Sequence, residues 1–323
     1  MFRAAVLGLA LTATLATPAT ATPTPTPPPC PPLIQGTGPS IHPEGVAYDA
    51  VRARFLIGSI THGTVSTVGP DNRAVTLVDD QRLITTMGLA VDNLRGRVLV
   101  TNADLGRGDR TTPETRNQLA GLGVYDLRTG KPLHYLDLGK LIPDTQNFAN
   151  DVALAPDGTA YVTDSLAGAV YRVTPDGRAN VLIRDPQLAG AVGAGWGLNG
   201  IVWTPHGLIG ALSARGALVR IPLREPAKFH LVALDASIGK PDGLLVRPGN
   251  RLLAVDNTAA NRIVEVRSGD GWRTAGVTGS TPWADKAPTT MVNTHCGPYA
   301  LAGRLDVLLG GGRSDEFVLR RLG

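Results

Sequence analysis

Pro43-Glu44-Gly45-Val46-Ala47-Tyr48-Asp49 opens a phrase that this chain repeats. It returns as Met87-Gly88-Leu89-Ala90-Val91-Asp92, Asn150-Asp151-Val152-Ala153-Leu154-Ala155, Asn199-Gly200-Ile201-Val202-Trp203-Thr204 and Asp242-Gly243-Leu244-Leu245-Val246-Arg247. Each copy sets a small or polar pair before a short apolar strand. A turn and a second apolar strand follow, as in Phe55-Leu56-Ile57, Val98-Leu99-Val100 and Ala160-Tyr161-Val162. A weaker sixth copy is expected at His295-Cys296-Gly297-Pro298, with Leu305-Asp306-Val307-Leu308 as its second strand. Gly45, Gly88, Asp151, Gly200, Gly243 and Cys296 would then be equivalent, at steps of 43, 63, 49, 43 and 53 residues. Four-stranded propeller blades take about 40–50 residues.

Third and fourth strands are also legible. Ala169 to Val173 leads to the turn Pro175-Asp176-Gly177 and then to Asn180 to Ile183. Such turn chemistry marks reversals between neighbouring strands. No long stretch has helical periodicity. The predicted fold is all-β: a six-bladed β-propeller of four-stranded antiparallel blades over residues 35–323. The long second step holds a charged insertion, residues 104–120, expected to decorate one face.

Composition agrees. The 323 residues are 43% hydrophobic and 18% charged, with 39 Gly and 25 Pro, which suits a packed chain with many turns. The formal net charge of +4 is spread along the chain. No Lys/Arg block would track a phosphate backbone, so no nucleic-acid partner is expected.

Residues 1–21 read as a signal peptide: Arg3, an apolar run from Ala4 to Ala16, and the small-residue site Ala19-Thr20-Ala21. The run is shorter than the roughly 20 residues a spanning helix needs. Residues 22–34 read as a Pro/Thr-rich linker. The mature chain is therefore expected to be secreted, extracellular or periplasmic, with no membrane attachment, and to act as a monomer. Cys30 and Cys296 are the only cysteines. An oxidising compartment favours their disulfide, and two buried thiols are the alternative.

In a propeller the innermost strands run in one sense along the axis, so equivalent positions form a ring at one mouth. The expected ring is Glu44, Met87, Asn150, Asn199, Asp242 and His295. Oxygen donors from Glu, Asp and Asn suit a hard cation such as Ca²⁺, which takes 6–8 oxygens. No Cys/His cluster has the spacing a softer metal wants. Each residue alone has a plainer reading: Asp-Gly and Asn-Gly are common turn pairs. Their shared register argues for a site.

Pro43-Glu44-Gly45, Phe148-Ala149-Asn150-Asp151, Leu198-Asn199-Gly200 and Pro241-Asp242-Gly243 resemble phrases of the gluconolactonase/regucalcin (senescence-marker-protein) family. The resemblance spans residues 41–309. It implies a six-bladed propeller with a divalent ion at the channel mouth. Lactonases and organophosphate-cleaving enzymes belong to that family, and the paraoxonases are more distant relatives. It implies metal ligation by Glu44, Asn199 and Asp242, with Asn150 contacting metal or substrate, and makes Asp242 the base or nucleophile. Met87 has no counterpart in the family pattern. Met87 and Trp196 are expected in the pocket wall, touching substrate. His295 reads as a proton relay or as a hydrogen-bonded structural histidine.

Other signals are set aside. Gly195-Trp196-Gly197-Leu198-Asn199-Gly200 has dinucleotide-loop spacing but runs into a strand rather than a helix. No Ser sits in a nucleophile elbow. Asp164 and Asp256 recur after second strands and read as turn or inter-strand hydrogen-bond residues. The expected activity is calcium-dependent hydrolysis of a lactone or related ester. The alternative is a non-catalytic secreted propeller that binds a small ligand or a protein, with a structural ion in its channel.

Overall fold

The structure, a computed structural model, describes Met1, residues 30–258 and residues 260–323. The expected signal peptide, Met1 apart, and the linker up to residue 29 lie outside the described residues. Six sheets follow one another around a central channel. Their innermost strands are Val46–Asp49, Thr85–Asp92, Asn147–Leu154, Leu198–Thr204, Pro241–Arg247 and Pro288–Thr294. Each innermost strand touches the next, and the sixth returns to the first, so the ring is closed. Blades three and five each gain a short fifth strand, Gln118–Leu119 and Ala233–Leu234, both added in parallel.

The core lies between blades rather than along the axis. Leu99, Leu122 and Val124 of blade two pack on Val152, Val162 and Tyr171 of blade three. The period-2 alternation of each strand sends one row of side chains toward each neighbouring blade.

Blade six differs from the sequence-based expectation. Its innermost strand is Pro288–Thr294 and its second is Gly297–Ala302. Leu305 to Leu308, expected to be a strand, lies in a short helix, Leu305–Leu309. His295 and Cys296 form the two-residue turn between the first two strands, with Thr294 paired to Gly297. The run Thr289-Thr290-Met291-Val292 forms the strand on β-branched propensity without the Gly that marks four of the other five copies.

The fourth strand of blade six is Leu33–Thr37, paired antiparallel with Glu316–Arg321 near the other end of the chain. Leu33 and Ile34, assigned to the linker from sequence, therefore belong to the propeller. The Cys30–Cys296 disulfide is formed beside this seam. Among the described residues, no helix is long and apolar enough to cross a membrane.

The disulfide closes a loop of 266 residues in sequence. Replacing both cysteines by Ser is expected to lower unfolding stability by roughly 5–6 kcal/mol on the chain-entropy account. Denaturant titration of the double variant against the oxidised protein measures it.

Candidate functional site

The mouth of the channel is built by backbone crowding. A Cβ on Gly45 would overlap the Met87 carbonyl, one on Gly200 the Asp242 carbonyl, and one on Gly243 the side chain of Thr290. Glycine at these places lets adjacent strands approach. The residue before each is thereby held at the rim. Hydroxyls clasp neighbouring blades at the same level. Thr101 Oγ1 donates to Asn150 O at 2.6 Å, Thr163 Oγ1 to Asn199 O at 2.8 Å, and Thr289 Oγ1 to Glu44 O at 2.7 Å.

The structure brings five of the six expected residues to the ring: Glu44, Met87, Asn150, Asn199 and Asp242, all buried. Four of them, Met87 excepted, line a cavity of about 370 Å³ that runs down the channel. His295 is not in the ring. Its turn lies at the far end of blade six, where Nδ1 is 2.7 Å from the Tyr48 hydroxyl and Nε2 is 3.5 Å from Cys30 Sγ. Thr289 occupies the register position that His295 was expected to hold. Met87 turns into an apolar cluster with Phe148, Leu166 and Leu308. Trp196 joins that cluster, its ring centre 4.5 Å from that of Phe148.

The two ring carboxamides have determined orientations. Ser165 Oγ donates to Leu198 O and Ser213 Oγ donates to Pro241 O. Each hydroxyl has then spent its proton. It must accept from the amide nitrogen beside it: Asn150 Nδ2 at 3.0 Å and Asn199 Nδ2 at 3.0 Å. The Oδ1 atoms are thus the ones left over. In blade five Asn257 Nδ2 donates to Asp242 Oδ2. The same place in the loop after the second strand supplies all three orienting groups. Sequence reasoning missed them, although Asp164-Ser165, Leu212-Ser213 and Asp256-Asn257 share a register.

Asp151 was also missed as a site residue. It stands where four other copies have Gly, and its carboxylate accepts from Val152 N at 2.8 Å and Ile201 N at 3.0 Å. Three buried carboxylates therefore crowd the mouth. Burial, then Asp242 and Asp151, pushes Glu44 well above its ordinary value. Burial raises Asp242 to about 7, against the Asn199 hydrogen bond and with help from Asp151. Burial raises Asp151 to about 6. No cationic side chain contributes to any of these shifts. Glu44 accepts no side-chain hydrogen bond among the described residues. Buried carboxylates without a counter-charge are costly. Two carboxylates and two oriented carboxamide oxygens make a donor set that fits a hard divalent cation.

Asp164 and Asp256 are structural, as read from sequence. Asp164 Oδ1 accepts from Phe148 N, Leu166 N and Ala167 N, and Asp256 binds Arg262 and the Thr258 turn. The insertion after residue 103 is pinned by buried Asp104, which accepts from Gly106 N, Thr111 Oγ1 and Thr115 Oγ1, each at 2.7 Å.

Folded-state carboxyl values above the unfolded value of about 3.9 mean that the folded protein binds more protons between about pH 4 and pH 7. In chelator, stability is expected to fall as pH rises through that window, and Asp242→Asn is expected to flatten the fall. Thermal melts from pH 4 to 8 in EDTA check both. A cation bound only by the folded state, at 100 times its Kd, would add about 2.7 kcal/mol. If the ring holds a divalent cation, Ser165→Ala and Ser213→Ala are expected to weaken its binding about 10–100-fold by releasing the carboxamides, as read by calorimetry with Ca²⁺.

No family model matches the sequence, and no curated protein does. Solved structures do. The Malassezia sympodialis allergen Mala s 1 superposes with a TM-score of 0.70 at 19% identity, over 91% of this chain and 97% of that one. A gluconolactonase from Xanthomonas campestris gives 0.62 at 18%, over 90% and 89%. A luciferin-regenerating enzyme gives 0.60 at 12%, over 90% and 96%. At these identities the likeness is one of fold, and the chain is a six-bladed β-propeller of the architecture found in gluconolactonases.

Proposed function

We propose that this protein is an exported hydrolase of lactones or related esters that depends on a divalent cation, with Ca²⁺ the best fit to its donors. The observation that carries the reading is the channel mouth: Glu44 and Asp242 converge with two carboxamides whose nitrogens are tied back by serines, and among the described residues no cationic side chain compensates them. Two of the structural neighbours are described as a gluconolactonase and a luciferin-regenerating enzyme, which supports a hydrolase on this scaffold. Export is supported by the disulfide and by the signal-like first 21 residues.

Glu44, Asn199 and Asp242 would hold the cation, with Asn150 beside them. When bound, such an ion polarises a carbonyl and lowers the pKa of an attached water. The remaining work falls to the protein. Asn150 and Asn199 present fixed Oδ1 atoms, so little reorganisation is needed when substrate arrives. Asp242 keeps Oδ1 available while Asn257 holds Oδ2. Oδ1 would take the proton of a water whose oxygen adds to the carbonyl carbon and return it to the leaving oxygen as the acyl C–O bond breaks. Alternatively it would itself attack, displacing that oxygen to give an acyl anhydride that water then cleaves. The apolar cluster of Met87, Phe148 and Trp196 keeps bulk water from this side of the ring.

The test is a panel of lactones and aryl esters with Ca²⁺ and with EDTA. Expected is hydrolysis that EDTA abolishes and Ca²⁺ restores. Asp242→Asn should lower kcat by about 10²–10⁴-fold while its melting temperature still responds to Ca²⁺. Wild-type-like turnover by that variant overturns the mechanism. A Ca²⁺-dependent melting temperature with no turnover on any substrate would mark the chain instead as a non-catalytic binding propeller.

A further inference from the structure

The seam that closes the ring contains a second cavity, larger than the channel. It lies between blades one and six at the end remote from the carboxylates and encloses about 540 Å³. Sites for drug-sized molecules run from about 300 to 1,000 Å³ and are mostly apolar, with a few placed polar groups. Three aromatic rings form its walls. Phe55 stands edge-on between Tyr48 and Tyr299, with ring centres 5.2 and 5.1 Å away. Ile34 and Val68 extend the apolar lining.

The polar groups gather at the rim. Tyr48 bonds His295 at 2.7 Å. Arg52 and Arg54 also line the cavity. Both pair with one fully buried carboxylate, Asp49, at 3.0 and 3.1 Å. Two guanidiniums against one carboxylate leave a net positive charge at this end. Arg54 is committed: Nε to Asp49 and a second nitrogen to Leu127 O at 2.8 Å. Arg52 is exposed, and among the described residues its side chain bonds only Asp49. It can swing toward an anion without breaking the fold. The disulfide and the strand pairing of the seam hold the walls in place, so the cavity is preformed. Tyr48 also borders the channel cavity, and no ring carboxylate lines the seam.

We propose that the seam cavity binds an anionic aromatic small molecule. Its ring system packs among Tyr48, Phe55 and Tyr299, and its acid group meets Arg52. A flat ring gains edge-to-face contact there, and a weakly hydrated guanidinium suits a planar carboxylate or a sulfonate. This site is independent of the proposed hydrolysis and needs no cation.

The probe is 8-anilinonaphthalene-1-sulfonate, titrated into the full chain by fluorescence, with neutral N-phenyl-1-naphthylamine as comparison. Expected is saturable binding of one anionic probe per chain, unchanged by EDTA or Ca²⁺. The neutral analogue should bind about two- to fivefold more weakly, the worth of one exposed ion pair. Arg52→Gln, at an exposed position, should remove that preference. Thr67→Trp, which points bulk into the cavity, should abolish binding of both probes. Val246→Trp, which fills the channel, should leave both unchanged. The proposal fails if the full chain binds no probe saturably or binds several. It also fails if Val246→Trp abolishes binding and Thr67→Trp does not, which would place the probe in the channel, or if Arg52→Gln leaves a preference for the anion intact.

Discussion

Everything at the candidate site depends on how closely six backbones can approach one axis. Where the innermost strands converge, a Cβ on Gly45 or Gly200 would overlap the carbonyl of the next blade. Only glycine permits that spacing. The crowding that demands a glycine also sets the residue before it at the channel mouth. The repeated phrase thus carries structure in its second position and chemistry in its first.

That geometry forces an electrostatic cost. Glu44, Asp151 and Asp242 are buried together, and burial pushes all three upward. A fold selected for stability alone would place apolar groups there. The protein instead adds Ser165, Ser213 and Asn257 to orient the ring. Investment in supporting hydrogen bonds around a destabilising cluster is what a functional site looks like energetically. The neighbouring face is the opposite: Met87, Phe148, Trp196 and Leu308 form an apolar cluster. A charged centre beside an apolar wall strengthens every interaction at that centre by lowering the local dielectric.

Blades one to five were legible because each carries the pair that axis crowding imposes. Blade six was misplaced for the same reason. Its Thr289-Thr290 pair has neither the glycine of four blades nor the Asn-Asp of blade three, and Thr290 is what Gly243 makes room for. The small residue lies on one side of that contact only, so the phrase vanishes from the sequence while the geometry persists. His295 was drawn into the ring by that error and sits in a turn at the other end. Asp151 was overlooked in the converse way. It occupies a glycine register, and only its hydrogen bond to Ile201 of the next blade reveals its task.

By itself, the order of residues determined the number of blades, the first two strands of five of them and four oxygen-bearing ring positions. All of these follow from local pattern: period-2 alternation, turn residues and a recurring register. Only the folded chain decided which amide atoms face the axis, how many carboxylates share the mouth, and that Leu33–Thr37 completes the last blade beside Glu316–Arg321. Those depend on contacts between residues tens to hundreds of positions apart. Loop closure brings such residues together without leaving any mark in the short-range sequence pattern.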